Sequence, residues 1–282
     1  MRRLLPFLLA ALRNWTLSLG LILLGIIILA ALAAPVLYPG DPFDMVGPPL
    51  QWPGTWPGSP FGTDSLGRDI AAGIFHGARI SLMVGFVAVS CALVVGILVG
   101  AFAGYYGGRV DEVLMRATEL FQTIPQFMLA IVIIAILGPS IKTVIISLGV
   151  VSWPTVARLV RSEFMVLRER AFVQSCIVIG MGDLRIIFTQ ILPNALSSIT
   201  VMSSVLIATA ILMESALSFL GFGDPNVMTW GTMIGMGRSQ LRDAWYIIAI
   251  PGFALIVTGL ALNLVGEGLN DAMNPRLRKR KI

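Results

Sequence analysis

The stretch Arg161-Ser-Glu-Phe-Met-Val-Leu-Arg-Glu-Arg-Ala-Phe-Val-Gln-Ser-Cys-Ile-Val-Ile-Gly-Met-Gly-Asp-Leu-Arg-Ile-Ile-Phe-Thr-Gln-Ile-Leu-Pro193 decides how this chain is read. It interrupts a sequence otherwise made of long apolar runs, and its pattern predicts two short helices. The first covers 163–179 and ends at Gly180 and Gly182, because glycine tolerates the left-handed backbone of a helix terminus. Asp183 is placed to cap the second, and Pro193, which has no amide donor, to stop it. Apolar side chains beside charges on such helices suit a surface that another protein grips. An ordinary connection between membrane spans has the same spacing, and spacing alone does not choose between the two.

Around this stretch the composition is that of an integral membrane protein. Of 282 residues, 56% are hydrophobic and 12% charged, with a mean hydropathy of +0.87. Soluble domains carry about 25% charged residues. Lysine and arginine total 20 against 15 acids, a net charge of +5. These cations flank apolar runs, so they report membrane orientation and not nucleic-acid binding. Cys91 lies in an apolar run and Cys176 in the polar stretch, at different depths, so no disulfide is expected. His76 has no second histidine or cysteine at ligand spacing, and no metal site is expected there.

Working outward, the chain reads as six spans. Arg2, Arg3 and Arg13 precede a charge-free run too long for the core of a signal peptide, so 17–37 is a retained first span. A loop rich in proline, glycine and tryptophan covers 38–77 and suits either a lid over the first two spans, which is favoured, or direct ligand contact, with Asp64 placed to cap a short helix from Ser65. The second span is 80–105. Gly96, Gly100, Gly104 and Gly108 recur every four residues, a stripe against which another helix packs closely. The third lies between Glu119 and Lys142 and contains Pro125; a turn at Gly138-Pro139-Ser140 ends it. The remaining three are 141–160, interrupted by Pro154, then 195–222 and 244–266. The chain thus divides into an N-terminal segment with the first span (1–37), an external loop (38–77), a five-helix core (78–268) holding the polar stretch, and a basic tail (269–282).

Six spans put both termini on one face. With them lie Arg2, Arg3, Arg13, Arg109, Arg116, Arg158, Arg161, Arg168, Arg170, Arg185, Arg276, Arg278, Lys279, Arg280 and Lys281; opposite lie only Arg68, Arg79, Lys142, Arg238 and Arg242. By the positive-inside rule the termini and the 161–193 stretch are cytosolic.

Catalytic constellations are scarce. There is no phosphate-binding G-x-x-x-x-G-K-[ST], no H-E-x-x-H and no C-x-x-C, and a serine nucleophile has no base within reach, so an enzyme is not expected. Glu214 is the one acid well inside a predicted span. It lines a solute path, relays protons, or braces helices through Ser215 and Ser218; bracing is favoured, because a relay needs a chain of ionisable groups.

Gln174-Ser175-Cys176, then Gly180, then Ile191-Leu192-Pro193 resembles the "EAA" loop of ABC importer permeases, with Gln-Ser-Cys where that loop reads Glu-Ala-Ala. Three further segments resemble the second permease subunit of dipeptide and oligopeptide importers: 61–69 (Phe-Gly-Thr-Asp-Ser-Leu-Gly-Arg-Asp), 214–221 (Glu-Ser-Ala-Leu-Ser-Phe-Leu-Gly), and 263–271 with Asn274-Pro275-Arg276. The resemblance implies an all-α, six-span permease of a type I importer in a bacterial cytoplasmic membrane. It implies a second homologous permease, two ATPases that carry the ATP and magnesium, and an external solute-binding protein; no cofactor is expected on this chain. Ala171, Phe172, Gln174, Ser175, Cys176, Gly180, Met181, Gly182 and Asp183 then form the coupling segment that docks to an ATPase. The competing class, a transporter or channel driven by an ion gradient, is disfavoured by the sparse charge inside the spans.

Overall fold

A computed structural model describes residues 14–273; the expectations for Arg2, Arg3, Arg13, Asn274-Pro275-Arg276 and the basic tail lie outside them. Among the described residues the regular structure is helical. In chain order it comprises α1 (Trp15–Leu37), α2 (Ile70–Tyr106), α3 (Gly108–Thr123), α4 (Gln126–Leu137), α5 (Ile141–Arg168), α6 (Ala171–Val178), α7 (Asp183–Ile186), α8 (Leu192–Phe219), α9 (Trp230–Gly237) and α10 (Tyr246–Met273). Five helical segments are long and apolar enough to cross a bilayer, or six if the bent pair α3–α4 counts as one. Helices are the expected answer, because lipid offers no partner for an unsatisfied backbone amide or carbonyl. Exposed Leu29, Leu32, Ile136, Phe253 and Ile256 face outward from the bundle, where lipid solvates them.

Several boundaries differ from the sequence reading. The second span begins at Ile70, ten residues early, so the expected division at residue 77 falls inside α2. Its cap is Asp69, whose carboxylate accepts from the Ala71 amide at 2.9 Å. Burial pushes that carboxyl above its ordinary range, opposed by the Ala71 and Ala72 amides and the Ser59 hydroxyl. Asp64 caps no helix: it accepts from the amides of Leu66 and Arg68 in a tight turn. The predicted third span is not straight. Ile124 and Pro125 break it, and α3 and α4 meet at 81°. At 12 residues α4 is only about 18 Å long, too short to cross alone.

The glycine stripe is a helix seam along three of its four positions. A Cβ on Gly96 would lie 2.8 Å from the Trp153 carbonyl oxygen, and one on Gly104 2.6 Å from that of Arg161, so α2 and α5 meet backbone to backbone. Gly108 is not part of the seam. It follows the break at Gly107 (φ +65°), has φ +51° itself, and faces open space. Beyond the break, Asp111 on α3 takes both Nε and Nη2 of Arg161, the latter at 2.6 Å, tying α3 to α5.

A second close approach pairs the ends of the chain. A Cβ on Gly20 would lie 2.8 Å from the Val265 amide, and one on Gly268 2.6 Å from Leu17 Cα, so α1 lies directly on α10. Asn14 reaches Asp271 at 3.4 Å. Asn14 and Asp271 therefore share one end of the bundle. At the other end the 38–69 loop closes over α2 and α10: Tyr246 donates to the carbonyls of Gln51 (2.9 Å) and Thr63 (3.1 Å), and His76 Nε2 lies 2.9 Å from the Tyr38 carbonyl.

The seam yields a test. Gly100→Ala should lower the thermal unfolding midpoint in detergent by the effect of about 1–3 kcal/mol of overpacking, because the new methyl would sit 2.7 Å from Val160 Cβ. Gly25→Ala on α1, where nothing lies within 4 Å, should leave the midpoint unchanged or raise it.

Candidate functional site

The polar stretch is an insertion between two spans that each continue into it. α5 runs without interruption to Arg168, past the predicted end at residue 160, and the single helix expected over 163–179 is broken at Glu169 and Arg170. Gln174 Nε2 donates to the Arg168 carbonyl at 3.1 Å, satisfying an acceptor at the end of α5. The eight-residue α6 follows. It ends as predicted at Gly180, φ +79°, where the Gly180 amide bonds to the Ile177 carbonyl and the Met181 amide to that of Cys176, each at 3.0 Å. This pair of bonds is a Schellman closure, which needs a left-handed residue at Gly180. Gly182 has φ −66°, so glycine is not required there.

Asp183 and Pro193 do other work than expected. Gly182 holds the cap position of α7, and the Asp183 carboxylate instead accepts from the Tyr105 hydroxyl at 2.8 Å, fastening the segment to the end of α2. Pro193 stops nothing. The chain passes from α7 through a π turn, Ile187–Ile191, into α8 as one helical run. The wide turn gives the Leu192 amide the Ile187 carbonyl five residues back, and Asn194 Nδ2 covers the Gln190 carbonyl at 2.6 Å. The proline therefore falls in the first turn of α8, where a missing donor is tolerated.

One face of α6 is an anchor. Val173 is 0% exposed, and Cys176 and Met181 pack beside it on a cluster that includes Tyr105, Phe164, Ile186 and Ile191. The Arg168 guanidinium carbon lies 5.8 Å from the centre of the Tyr105 ring. The other face is open and apolar. Phe172, Ile177 and Leu184 are exposed, and Val178 and Ile179 reach 85% and 75%. Phe172, Ile177 and Val178 belong to α6, and Ile179 and Leu184 follow it, so the segment leaves five large apolar side chains exposed.

All nine residues named from the sequence thus fall in one segment, with divided roles. Cys176 and Met181 face inward, and Asp183 binds Tyr105. Gln174 and Ser175 spend their side chains within the segment, on the carbonyls of Arg168 and Ala171. Ala171, Phe172, Gly180 and Gly182 are exposed. Sequence reasoning missed the anchor Val173, the latch Tyr105 and the apolar run 177–179. The available signal was Tyr105-Tyr106 directly after the glycine stripe, a polar aromatic pair where α2 leaves the seam.

Glu214 lies elsewhere, near the C-terminal end of α8, and is 1% exposed. Its carboxylate takes the hydroxyls of Ser218 and Thr229, both at 2.8 Å, and of Ser215 at 3.4 Å. Bracing through Ser215 and Ser218 was the expected role; the bond to Thr229, at the start of α9, was not foreseen. Neither was α9 itself, a short helix between the last two spans, with Trp230 almost wholly buried.

Residues 96–279 match the family described as "Binding-protein-dependent transport system inner membrane component". The chain belongs to that family. Across 265 residues it is 37% identical to the di/tripeptide transport system permease protein DppC of Pseudomonas aeruginosa, covering 92% of this chain and 88% of that one. It is 40% identical over 260 residues to the dipeptide transport system permease protein DppC of Alkalihalophilus pseudofirmus, covering 92% and 85%. A glutathione transport system permease protein, GsiD of Pectobacterium atrosepticum, is 39% identical over 218 residues, covering 77% and 72%. A solved inward-facing structure of the MetNI methionine ABC transporter superposes with TM-score 0.59 at 16% identity, over 72% of this chain and 97% of that one, and shows the shared fold. The protein is thus a multi-pass, non-enzymatic permease subunit of an ABC importer, and the ion-gradient alternative falls away.

In this permease, Val173→Asp should free the 171–183 segment from the bundle, because an unpaired carboxylate at a fully buried position opposes its seating there. Limited trypsin digestion should then cut after Arg170 faster than in the unsubstituted protein, with cleavage sites mapped by mass spectrometry.

Proposed function

We propose that this chain forms half of a translocation path for dipeptides, longer peptides or a related small solute, driven by separate ATPases that dock on 171–183. The observation that carries the reading is the braced α6: a rigid segment, clamped to α5 and α2, with its apolar face turned outward. Force applied to that face passes into two spans, since α5 leads into the segment and α8 leaves it. Alternating access then follows as two packed states of the spans whose balance nucleotide binding shifts.

The partners that complete this reading are a second homologous permease, two ATPases holding ATP and magnesium, and an external binding protein that supplies the solute. Peptide is favoured as cargo by the names of the relatives at 37–40% identity. The charge split puts both termini and the coupling segment on the cytosolic side. Asn14 and Asp271, which share one end of the bundle, agree with termini on a common face. The apolar face formed by Phe172 and 177–179, with Ala171, Gln174 and Ser175 between them, is the docking surface. Gly180, Gly182 and Asp183 set its angle.

Gly180→Val is the direct test. A β-branched residue at φ +79° opposes the turn by about 1–2 kcal/mol, with no steric clash to confuse the result, since nothing lies within 4 Å of the added Cβ. In proteoliposomes holding the whole importer, uptake should fall while ATP hydrolysis continues. Uptake by the permease pair without ATPases would sink the proposal.

A further inference from the structure

The outer end of the fifth span is built as a socket. The run from Asp183 to Phe219 is one span of 37 residues, about 55 Å at 1.5 Å per residue, beginning in the coupling segment. At its outer end a second Schellman closure, with Gly221 at φ +89°, turns the chain back on itself: the Phe222 amide bonds to the Leu217 carbonyl and the Gly221 amide to that of Ser218. The returning chain lies hard against α8. A Cβ on Gly223 would fall 2.8 Å from Ser218 Cβ, one on Gly231 2.9 Å from that same atom, and one on Gly235 3.1 Å from the Ser218 carbonyl oxygen.

Glu214 closes this socket. Its Oε1 accepts from Ser218 of its own helix and from Thr229 of the returning chain. The Thr229 oxygen in turn accepts the Thr232 amide at 3.0 Å, so α9 is capped by a hydroxyl whose proton the carboxylate holds. A carboxylate suits this place because it only accepts, and it has capacity for three donors at once. From the socket α9 reaches across to α2. The Trp230 amide donates to Ser81 Oγ at 3.2 Å and its indole to the Ile74 carbonyl at 3.0 Å. At the opposite end, Tyr105 of α2 donates to Asp183 of the fifth span. The second and fifth spans are therefore joined near both ends, by Tyr105–Asp183 below and by Glu214–Thr229 with Ser81–Trp230 above.

We propose that Glu214 is a positioning residue that rivets α9 to the fifth span, so that motion imposed on the coupling segment reaches the outer face as movement of one rigid body. This rests on the coupling role given to 171–183. A purely stabilising Glu214 would affect how much protein folds; a rivet affects whether the outer face follows nucleotide.

The test reads the outer face directly. In the complete importer in nanodiscs, exposed Ser239, just beyond α9, is replaced by cysteine. Its maleimide labelling rate is read peptide by peptide by mass spectrometry, which separates it from Cys91 and Cys176. Rates are compared without nucleotide and with ATP plus vanadate. In the Ser239→Cys protein the two rates should differ. Glu214→Leu should abolish the difference and lower uptake by about tenfold, the factor set by one hydrogen bond to a charged group, while Glu214→Gln, which keeps an acceptor for both hydroxyls, should restore both. If Glu214→Leu does not assemble, Thr229→Val removes the same bond with a smaller change, and the same loss is expected. A nucleotide-dependent difference that persists in either variant overturns the proposal. No difference even with Glu214 intact would instead count against nucleotide-driven motion of this permease, the reading on which the proposal stands.

Discussion

The seam between α2 and α5 is the constraint on which the rest of the molecule depends. Without lateral hydrophobic pressure in lipid, helices associate through van der Waals contact and hydrogen bonds, so small residues set how near two backbones come. Gly96, Gly100 and Gly104 bring α2 against Trp153–Phe164 of α5 so closely that no side chain fits between them. The same helix α5 runs on from that contact to Arg168, where the 171–183 segment begins. The Asp111–Arg161 pair then holds the amphipathic α3 beside the same joint.

Given that frame, the 171–183 segment is short and doubly anchored. Val173 seats it on the cluster around Phe164 and Ile186, and Asp183 fastens it to Tyr105. The π turn at Ile187–Ile191 joins it to the fifth span without a hinge and absorbs the amide that Pro193 lacks.

The half of the molecule away from this segment is fixed by different chemistry. Its 38–69 loop is organised by proline, glycine and hydrogen bonds to main-chain carbonyls, with Tyr246 and Thr63 at its centre. Glu214 supplies the other fixed point. Burying a carboxylate in the apolar interior is tolerable when donors surround it, and three hydroxyls from two segments do so here. Both ends of the fifth span are thereby defined by a carboxylate that meets a hydroxyl on another element: Asp183 with Tyr105, Glu214 with Thr229.

Local pattern was enough to read the membrane class, the apolar spans, three positions of the glycine stripe and the break at Gly180. These follow from hydropathy, glycine's backbone freedom and residue spacing, all of which act over a few residues. Local pattern misplaced the caps, because Asp64, Asp69 and Asp183 are equally able to accept from a backbone amide and only the surrounding fold selects among them. It misread Pro193 as a stop, because the π turn that accommodates it depends on Ile187 and Ile191 being buried against α2 and α5. It was blind to α9, whose eight residues become a helix only when Trp230 is buried and Thr229 finds Glu214. The sequence by itself determined that the chain is a bundle of apolar membrane helices interrupted by one polar segment, since those properties are summed residue by residue. Tertiary structure alone decided which carboxylate holds which hydroxyl, since those partners lie up to 78 residues apart in the chain.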